Sequence, residues 1–227
     1  GENLRAIQVA AADAIFNTDD NVLLAASTAS GKTEAAFFPI LTEFWEDPPR
    51  SVGALYIGPL KALINDQFER LEGLLEEAAI PITKWHGDAS AAAKKRVMKR
   101  PQGVIQTTPE SLESMLMHNS SGAYRLFSDL RFIIIDEMHY FMDNDRGLQL
   151  LCLLERLARL IGYHPRRIGL SATLGDCTSA VQWLNTDSGR DCIVPKCHEK
   201  GRSLRLSVRF FPIKEKIPNS DLSLIHI

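Results

Sequence analysis

The 227-residue chain has little cysteine, no long apolar run and no excess of basic charge. Its four cysteines include no C-x-x-C pair. Cys197-His198 lies near Cys192, but zinc sites normally use paired spacings, so reduced thiols in a cytosolic protein are the expected state. No apolar segment approaches the roughly 18 residues that a membrane helix needs. The first residues show no charged-then-apolar leader, so we expect a cytoplasmic protein without membrane contact.

Acidic and basic side chains nearly balance, with 28 Asp and Glu against 26 Lys and Arg. The formal net charge of -2 excludes a globally basic nucleic-acid-binding protein. Any contact with a nucleic acid must therefore be local, made by a few side chains and backbone amides on one face. The apolar share of 45% is ordinary for a chain that folds around a hydrophobic core.

Short apolar runs alternate with longer helical patterns along the chain. The runs predict strands at 22–26, 53–57, 82–85, 103–107, 132–135 and 167–170. The patterns between them predict helices at 4–16, 32–46, 60–79, 89–99, 109–117, 147–161 and 176–184. Runs such as FIII are apolar on both faces, as in parallel strands covered on both sides. The alternation predicts an α/β fold, with a mostly parallel sheet and helices on both faces.

Residues 26–33, ASTASGKT, connect a predicted strand to a predicted helix. Backbone N–H groups of such a loop converge on phosphates, and the helix N-terminus adds a favourable dipole. The segment therefore predicts a nucleotide phosphate loop, although Ala26 replaces the first glycine of the common G-x-x-x-x-G-K-[ST] pattern. Lys32 would reach the β- and γ-phosphates, and Thr33 would place its hydroxyl on Mg²⁺. The other predicted contacts of the loop are Ser27, Thr28, Ala29, Ser30 and Gly31.

Two carboxylates, Asp136 and Glu137, directly follow the apolar strand predicted at 132–135. At the carboxyl end of this strand Asp136 would hold Mg²⁺, and Glu137 would orient or deprotonate the attacking water. Two acids after a strand are by themselves often a solvated turn. Behind a phosphate loop they predict a site that hydrolyses a nucleoside triphosphate.

A third short motif, SAT, ends the strand predicted at 167–170. The hydroxyls of Ser171 and Thr173 could bond to the region around His139, which would link that region to the next strand. A turn that caps the following helix is the alternative interpretation, with Thr173 as one of the capping residues. Taken by itself, the motif favours the capping role.

Together, GKT at 31–33, DEMH at 136–139 and SAT at 171–173 resemble motifs I, II and III of superfamily 2 DExD/H-box helicases. The resemblance covers about residues 1–195. It implies the first RecA-like domain of a helicase core, a three-layer P-loop NTPase fold. The stretch DEMHYFMDNDRG is in particular similar to the large helicase-related group.

The resemblance also implies ATP as the nucleotide, because Gln8 matches the glutamine that pairs with adenine in this family. Three further stretches resemble motifs that bind the sugar-phosphate backbone of a single strand of DNA or RNA. The residues implied in these contacts are Pro59, Lys61, Gly87, Thr108 and Pro109. The residues implied in coupling the nucleotide state to the nucleic acid are His139, Ser171 and Thr173.

Family members work with two RecA-like domains, and arginines of the second complete the ATP site. We expect 1–195 to be the first domain, 196–221 a linker or strand towards a second domain in cis that is missing here, and 222–227 a sequence artefact. An arginine finger is worth about 10³–10⁵ in rate, so the fragment is expected to be nearly inactive. Two other interpretations stay open. One is an ATP-gated clamp that needs no hydrolysis, and the other is a different phosphate-loop class, although no N-K-x-D guanine motif is present.

Overall fold

The structure is a computed structural model, and it describes residues 4–26, 31–172 and 177–196. The strands are β1 (Asn21–Ala25), β2 (Val52–Ile57), β3 (Ile82–Trp85), β4 (Gly103–Thr107), β5 (Phe132–Ile135), β6 (Arg166–Ser171) and β7 (Cys192–Ile193). The helices are α1 (Ala6–Asn17), α2 (Lys32–Glu46), α3 (Lys61–Glu77), α4 (Ala91–Lys99), α5 (Pro109–His118), α6 (Ser120–Phe127), α7 (Asp145–Ile161) and α8 (Thr178–Asn185). A 3₁₀ turn, Met138–Tyr140, follows β5.

Every strand and helix predicted from the sequence has a counterpart whose ends lie within two residues of the prediction. The sequence did not predict α6, β7 or the 3₁₀ turn. Beyond residue 196, the segments 197–221 and 222–227 lie outside the described residues, so the predicted linker and the predicted artefact stay predictions.

The described strands form one sheet in the order β3-β4-β2-β5-β6-β1-β7, and neighbouring strands run parallel. The carboxyl ends of parallel strands meet at the same edge of a sheet. The phosphate-loop segment after β1, the acidic pair after β5 and Ser171 at the end of β6 therefore share one edge. Ligands of open α/β sheets bind at this edge.

Successive residues of a strand enter two separate hydrophobic cores, because their side chains point to opposite faces of the sheet. In β1, Val22 and Leu24 join a core formed with α1, α2 and α3. Leu23 joins the other core, to which α5, α6, α7 and α8 contribute. Helices thus cover both faces of the sheet, and the predicted three-layer α/β architecture is confirmed.

Three observations concern only the described part of the chain. None of its helices has both the length and the apolar character that crossing a membrane requires. No group of three or more His, Cys, Asp or Glu side chains is placed there to hold a metal ion. The thiols of Cys152, Cys177 and Cys192 are free.

Candidate nucleotide-binding site

Gly31 turns the chain from the phosphate-loop segment into α2. Its φ of 83° lies in the left-handed region that glycine adopts without steric cost. Lys32 and Thr33 are the first two residues of α2, so they lie at the positive end of the helix dipole. The four remaining predicted contacts, Ser27, Thr28, Ala29 and Ser30, lie outside the described residues.

The Lys32 Nζ donates a hydrogen bond to the Ala26 carbonyl at 2.7 Å. Burial lowers the pKa of Lys32, whereas the negative charges of Glu137 and Asp136 oppose this shift. The two carboxylates therefore favour the charged form of the Lys32 amine. This arrangement is the one expected of a site that binds a triphosphate.

Asp136 is a buried carboxylate, only 5% exposed, at the end of β5. Its Oδ2 accepts a hydrogen bond from the Tyr56 hydroxyl, and its Oδ1 accepts one from the Glu137 N–H at 2.9 Å. Burial raises the pKa of Asp136, and the hydrogen bond from Tyr56 opposes that rise. The orientation of this carboxylate is therefore fixed by its two donors.

Glu137 has a backbone conformation that is unusual for a residue with a side chain. Its φ of 47° and ψ of 46° lie in the left-handed region, and such a residue stores about 1–3 kcal/mol of strain. The Glu137 carboxylate lies 3.5 Å from Nδ1 of His139, and the same nitrogen lies 3.4 Å from the Ser171 hydroxyl. The structure thus brings together His139 and Ser171 of the predicted coupling set, whereas Thr173 lies outside the described residues.

Helix α1 brings Gln8 to the phosphate loop. A Cβ built on Gly31 would lie 3.1 Å from Nε2 of Gln8 and 3.4 Å from Nη1 of Arg5. The Gln8 Oε1 accepts a hydrogen bond from the Arg5 backbone N–H at 2.8 Å, which orients the amide. The sequence predicted Gln8 here but not Arg5, because one arginine before a helix belongs to no recognisable pattern.

Two of the predicted nucleic-acid contacts lie side by side on the surface. Lys61 Nζ forms an ion pair with Asp88 at 2.9 Å, and both side chains are exposed. A Cβ built on Gly87 would lie 3.3 Å from the same Nζ. The loop before α3 and the loop after β3 therefore meet at Lys61, at the carboxyl edge of the sheet.

The other predicted contacts, Pro59, Thr108 and Pro109, are buried. Thr108 caps α5, with its hydroxyl accepting the Ser111 N–H at 3.4 Å, and Pro109 is the first residue of that helix. Burial of these side chains leaves the loop backbone and the helix N-terminus as the groups that can reach a phosphate.

Arg146, near the start of α7, links these segments, and sequence reasoning missed it. Its Nη2 donates to the Pro59 carbonyl, and its Nε donates to the Glu110 carboxylate at 2.7 Å. Burial would raise the pKa of Glu110, but the hydrogen bond from Arg146 and further donors outweigh it, and the pKa is lowered. The segment after β2 and the first turn of α5 are thus held by one side chain.

The chain is also similar in sequence to a known family and to characterised proteins. The family model described as DEAD/DEAH box helicase matches residues 5–180. The chain is 35% identical over 193 residues to the ATP-dependent helicase Lhr-Core of Methanothermobacter thermautotrophicus, which covers 77% of this chain and 22% of that protein. It is 30% identical over 200 residues to the ATP-dependent DNA helicase Hel308 of Methanococcus vannielii, which covers 87% of this chain and 25% of that protein.

Solved structures show the same similarity. The helicase Lhr of Mycobacterium smegmatis, solved with ssDNA and AMP-PNP, matches 86% of this chain and 26% of its own chain, with a TM-score of 0.74 and 30% identity. The DEAD-box helicase Mss116, solved with ssRNA and UDP-BeF, has a TM-score of 0.74 at 21% identity and shows the fold alone. The chain spans 22% to 25% of the length of the two curated relatives above. The match over residues 5–180 and the RecA-like fold show that this chain belongs to the DEAD/DEAH box helicase family.

Proposed function

We propose that this chain is the N-terminal motor domain of an ATP-dependent nucleic-acid helicase or translocase. The observation that carries the proposal is that Lys32 at the start of α2 and the pair Asp136 and Glu137 after β5 share the carboxyl edge of one parallel sheet. An amine at a helix N-terminus and an acidic pair at the end of another strand of the same sheet are the parts that phosphoryl transfer from a nucleotide requires. The family to which the chain belongs supports ATP as that nucleotide.

In this proposal the first turn of α2 holds the phosphates. Lys32 would exchange its hydrogen bond with the Ala26 carbonyl for the β- and γ-phosphate oxygens, and the loop from Ser27 to Gly31 would supply backbone N–H donors. Gln8 would pair with the adenine. Its amide nitrogen already lies beside Gly31, at the entrance of the phosphate loop.

The side chains offered to Mg²⁺ are oxygen donors, which this cation prefers. Asp136 is buried and oriented by two hydrogen bonds, and Thr33 is the second residue of α2, so the residues present fit the ion. When bound, Mg²⁺ would neutralise charge on the β- and γ-phosphates. Glu137 would orient the attacking water or take its proton. His139 contacts both Glu137 and Ser171, so it would couple nucleotide binding at Glu137 to Ser171.

Single-stranded nucleic acid would lie along the loops at the carboxyl ends of β2, β3 and β4. Lys61 offers an exposed positive charge there, and α5 offers its N-terminus at Thr108 and Pro109. Gly87 and the backbone at Pro59 would allow a close approach of the sugar-phosphate chain. Contacts of this kind bind phosphates and do not read bases, so they serve DNA and RNA alike.

A second RecA-like domain in cis would complete the active site. The chain covers 22% of the Lhr-Core relative, so a protein of that length has ample room for it. We propose that residues 1–195 form the first domain and that 196–221 lead to the second. Without its arginines the fragment would bind ATP weakly and hydrolyse it hardly at all, since an arginine finger is worth about 10³–10⁵ in rate.

The test is the ATPase activity of the full-length gene product, with and without single-stranded DNA or RNA. Lys32→Ala and Glu137→Gln should each abolish turnover. The matched controls Lys99→Ala and Glu72→Gln, at exposed positions of α4 and α3, should leave it unchanged. A Glu137→Gln enzyme with full activity would refute the catalytic role of Glu137.

Release of phosphate stimulated by nucleic acid would exclude a clamp that needs no hydrolysis, and competition of ATP with GTP would test the nucleotide.

A further inference from the structure

Tyr56 contacts the acidic pair from a strand to which sequence reasoning gave no catalytic part. Its hydroxyl donates a hydrogen bond to Oδ2 of Asp136, and the tyrosine is fully buried. Tyr56 lies in β2 and is paired with Ile134 of β5, two residues before Asp136. The contact therefore crosses between two adjacent strands at the centre of the sheet.

The tyrosine ring is itself held by the phosphate-binding helix. It packs against Phe37 of α2, with the ring centroids 6.1 Å apart, and α2 is the helix that begins with Lys32 and Thr33. The other oxygen of Asp136 accepts the Glu137 N–H. One carboxylate oxygen is thus fixed by the backbone and the other by a side chain packed on α2.

A carboxylate oxygen has two lone pairs, so each oxygen of Asp136 can keep its present donor and still bind a cation. Without the hydroxyl of Tyr56, Oδ2 would lose its donor in a buried environment, and the carboxylate plane would be free to rotate. Ligating carboxylates are commonly oriented by such hydrogen bonds, and loss of the partner typically lowers metal affinity about 10–100-fold.

We propose that Tyr56 is a positioning residue for the Mg²⁺-binding carboxylate of Asp136. This inference rests on the proposed function, because it takes Asp136 as a metal ligand. The tyrosine would set the orientation of Asp136 before the metal arrives.

The experiment measures binding and needs no turnover. The full-length protein and its Tyr56→Phe variant are titrated with a fluorescent ADP analogue, first in EDTA and then over a range of Mg²⁺ concentrations. We expect similar affinities in EDTA and a Mg²⁺ half-saturation concentration raised about 10–100-fold in the variant. Phe37→Leu is the matched control, because it reduces packing on the Tyr56 ring and keeps the hydroxyl. It should lower thermal stability and keep the wild-type Mg²⁺ response.

The outcomes separate the inference from the proposed function. If the wild-type protein binds no nucleotide, the proposed function fails, and this inference fails with it. If the wild-type protein binds nucleotide and a folded Tyr56→Phe variant has the wild-type Mg²⁺ response, the inference alone is overturned. Should that variant not fold, Tyr56→3-fluorotyrosine keeps the hydroxyl and supplies one ¹⁹F signal. The signal should shift when Mg²⁺ is added to the ADP complex, and a signal that does not move would overturn the inference.

Discussion

The guanidinium of Arg146 and the carboxylate of Glu110 form an ion pair at 2.7 Å that connects α7 to the first turn of α5. The same guanidinium bonds to the carbonyl of Pro59, so one side chain sets the spacing of two loops that we propose to bind a nucleic-acid backbone. Contacts with phosphates position a nucleic-acid strand only when the protein groups that make them have a fixed spacing. Arg146 is therefore expected to matter for binding without contacting the strand itself.

Replacing Arg146 by alanine should weaken binding of single-stranded nucleic acid by about tenfold, the equivalent of one lost hydrogen bond between charged groups. Nucleotide affinity should change little, because Arg146 has no contact with the Lys32 region among the described residues. Fluorescence anisotropy of a labelled oligonucleotide measures the first quantity. Arg159→Ala is the control, since Arg159 forms a similar ion pair on the exposed face of α7. Equal losses in both variants would refute a specific role for Arg146.

Lys61 should contribute one phosphate contact. Lys61→Ala is expected to weaken binding to all sequences alike and to lower the slope of log K against log salt by about one. The control is Arg50→Ala, which removes an exposed positive charge before β2, at the opposite edge of the sheet. Binding isotherms at several salt concentrations measure both slopes. An unchanged slope for Lys61→Ala would show that its amine, which also pairs with Asp88, does not bind phosphate.

Gly147 of α7 lies against the loop that follows the acidic pair. A Cβ at this position would lie 1.6 Å from the Phe141 carbonyl oxygen. Gly147→Ala should therefore lower the free energy of unfolding by about 1–3 kcal/mol through overpacking. Gly73→Ala is the opposite case in α3, because a Cβ at Gly73 contacts nothing within 4 Å. It should raise the free energy of unfolding by up to about 1 kcal/mol.

Urea titrations of the two glycine variants beside the wild-type chain measure these changes. The contrast between the variants is the informative result, because both make the same chemical change inside a helix. Two variants that differ from the wild type by the same amount and sign would show that the close approach at Gly147 is relieved at no cost.

His86 is 3% exposed, and neither ring nitrogen has a hydrogen-bond partner among the described residues. Burial lowers the pKa of His86. Asp88 opposes this shift, and the charges of Lys61, Lys84 and Lys94 add to it. The unfolded chain therefore binds this proton more readily than the folded one. The stabilising contribution is present above the unfolded pKa of about 6.5 and is lost as the pH falls below it.

His86→Phe should reduce the fall in unfolding free energy between about pH 7.5 and 5.5, because phenylalanine keeps the ring and binds no proton. Urea unfolding at several pH values measures the difference between variant and wild type. A difference that does not change with pH would mean that His86 titrates alike in the folded and unfolded states.

The sequence predicted most of the elements because their patterns are local. The FIII run of β5 and the repeated leucines of α7 need no tertiary information to be recognised. The two residues of β7, by contrast, become a strand by pairing with β1, which no local pattern reports. Helix α6 follows α5 directly at Asn119, which caps it, and the polar residues around Asn119 look like a loop in the sequence.

The residues of the candidate site also fall into those with a local sequence motif and those that only tertiary contacts identify. Lys32, Asp136 and Glu137 belong to short motifs, so the sequence alone predicts them as candidate site residues. Tyr56 lies within an apolar run that reads as core, and only the approach of β5 to β2 shows its hydroxyl at Asp136. Arg146 has no motif of its own, since its role depends on loops that lie far from it in sequence.

The place of β1 in the sheet has a consequence for biosynthesis. Its neighbours are β6 and β7, with Val22 paired to Ile168 and Ile193, and these are the last two strands of the described chain. Pairing across such long sequence separations is slow to form. On the ribosome, the nascent segment that contains Lys32 would leave the exit tunnel long before its partner strands are made. Strand β1 can therefore join the sheet only late in translation.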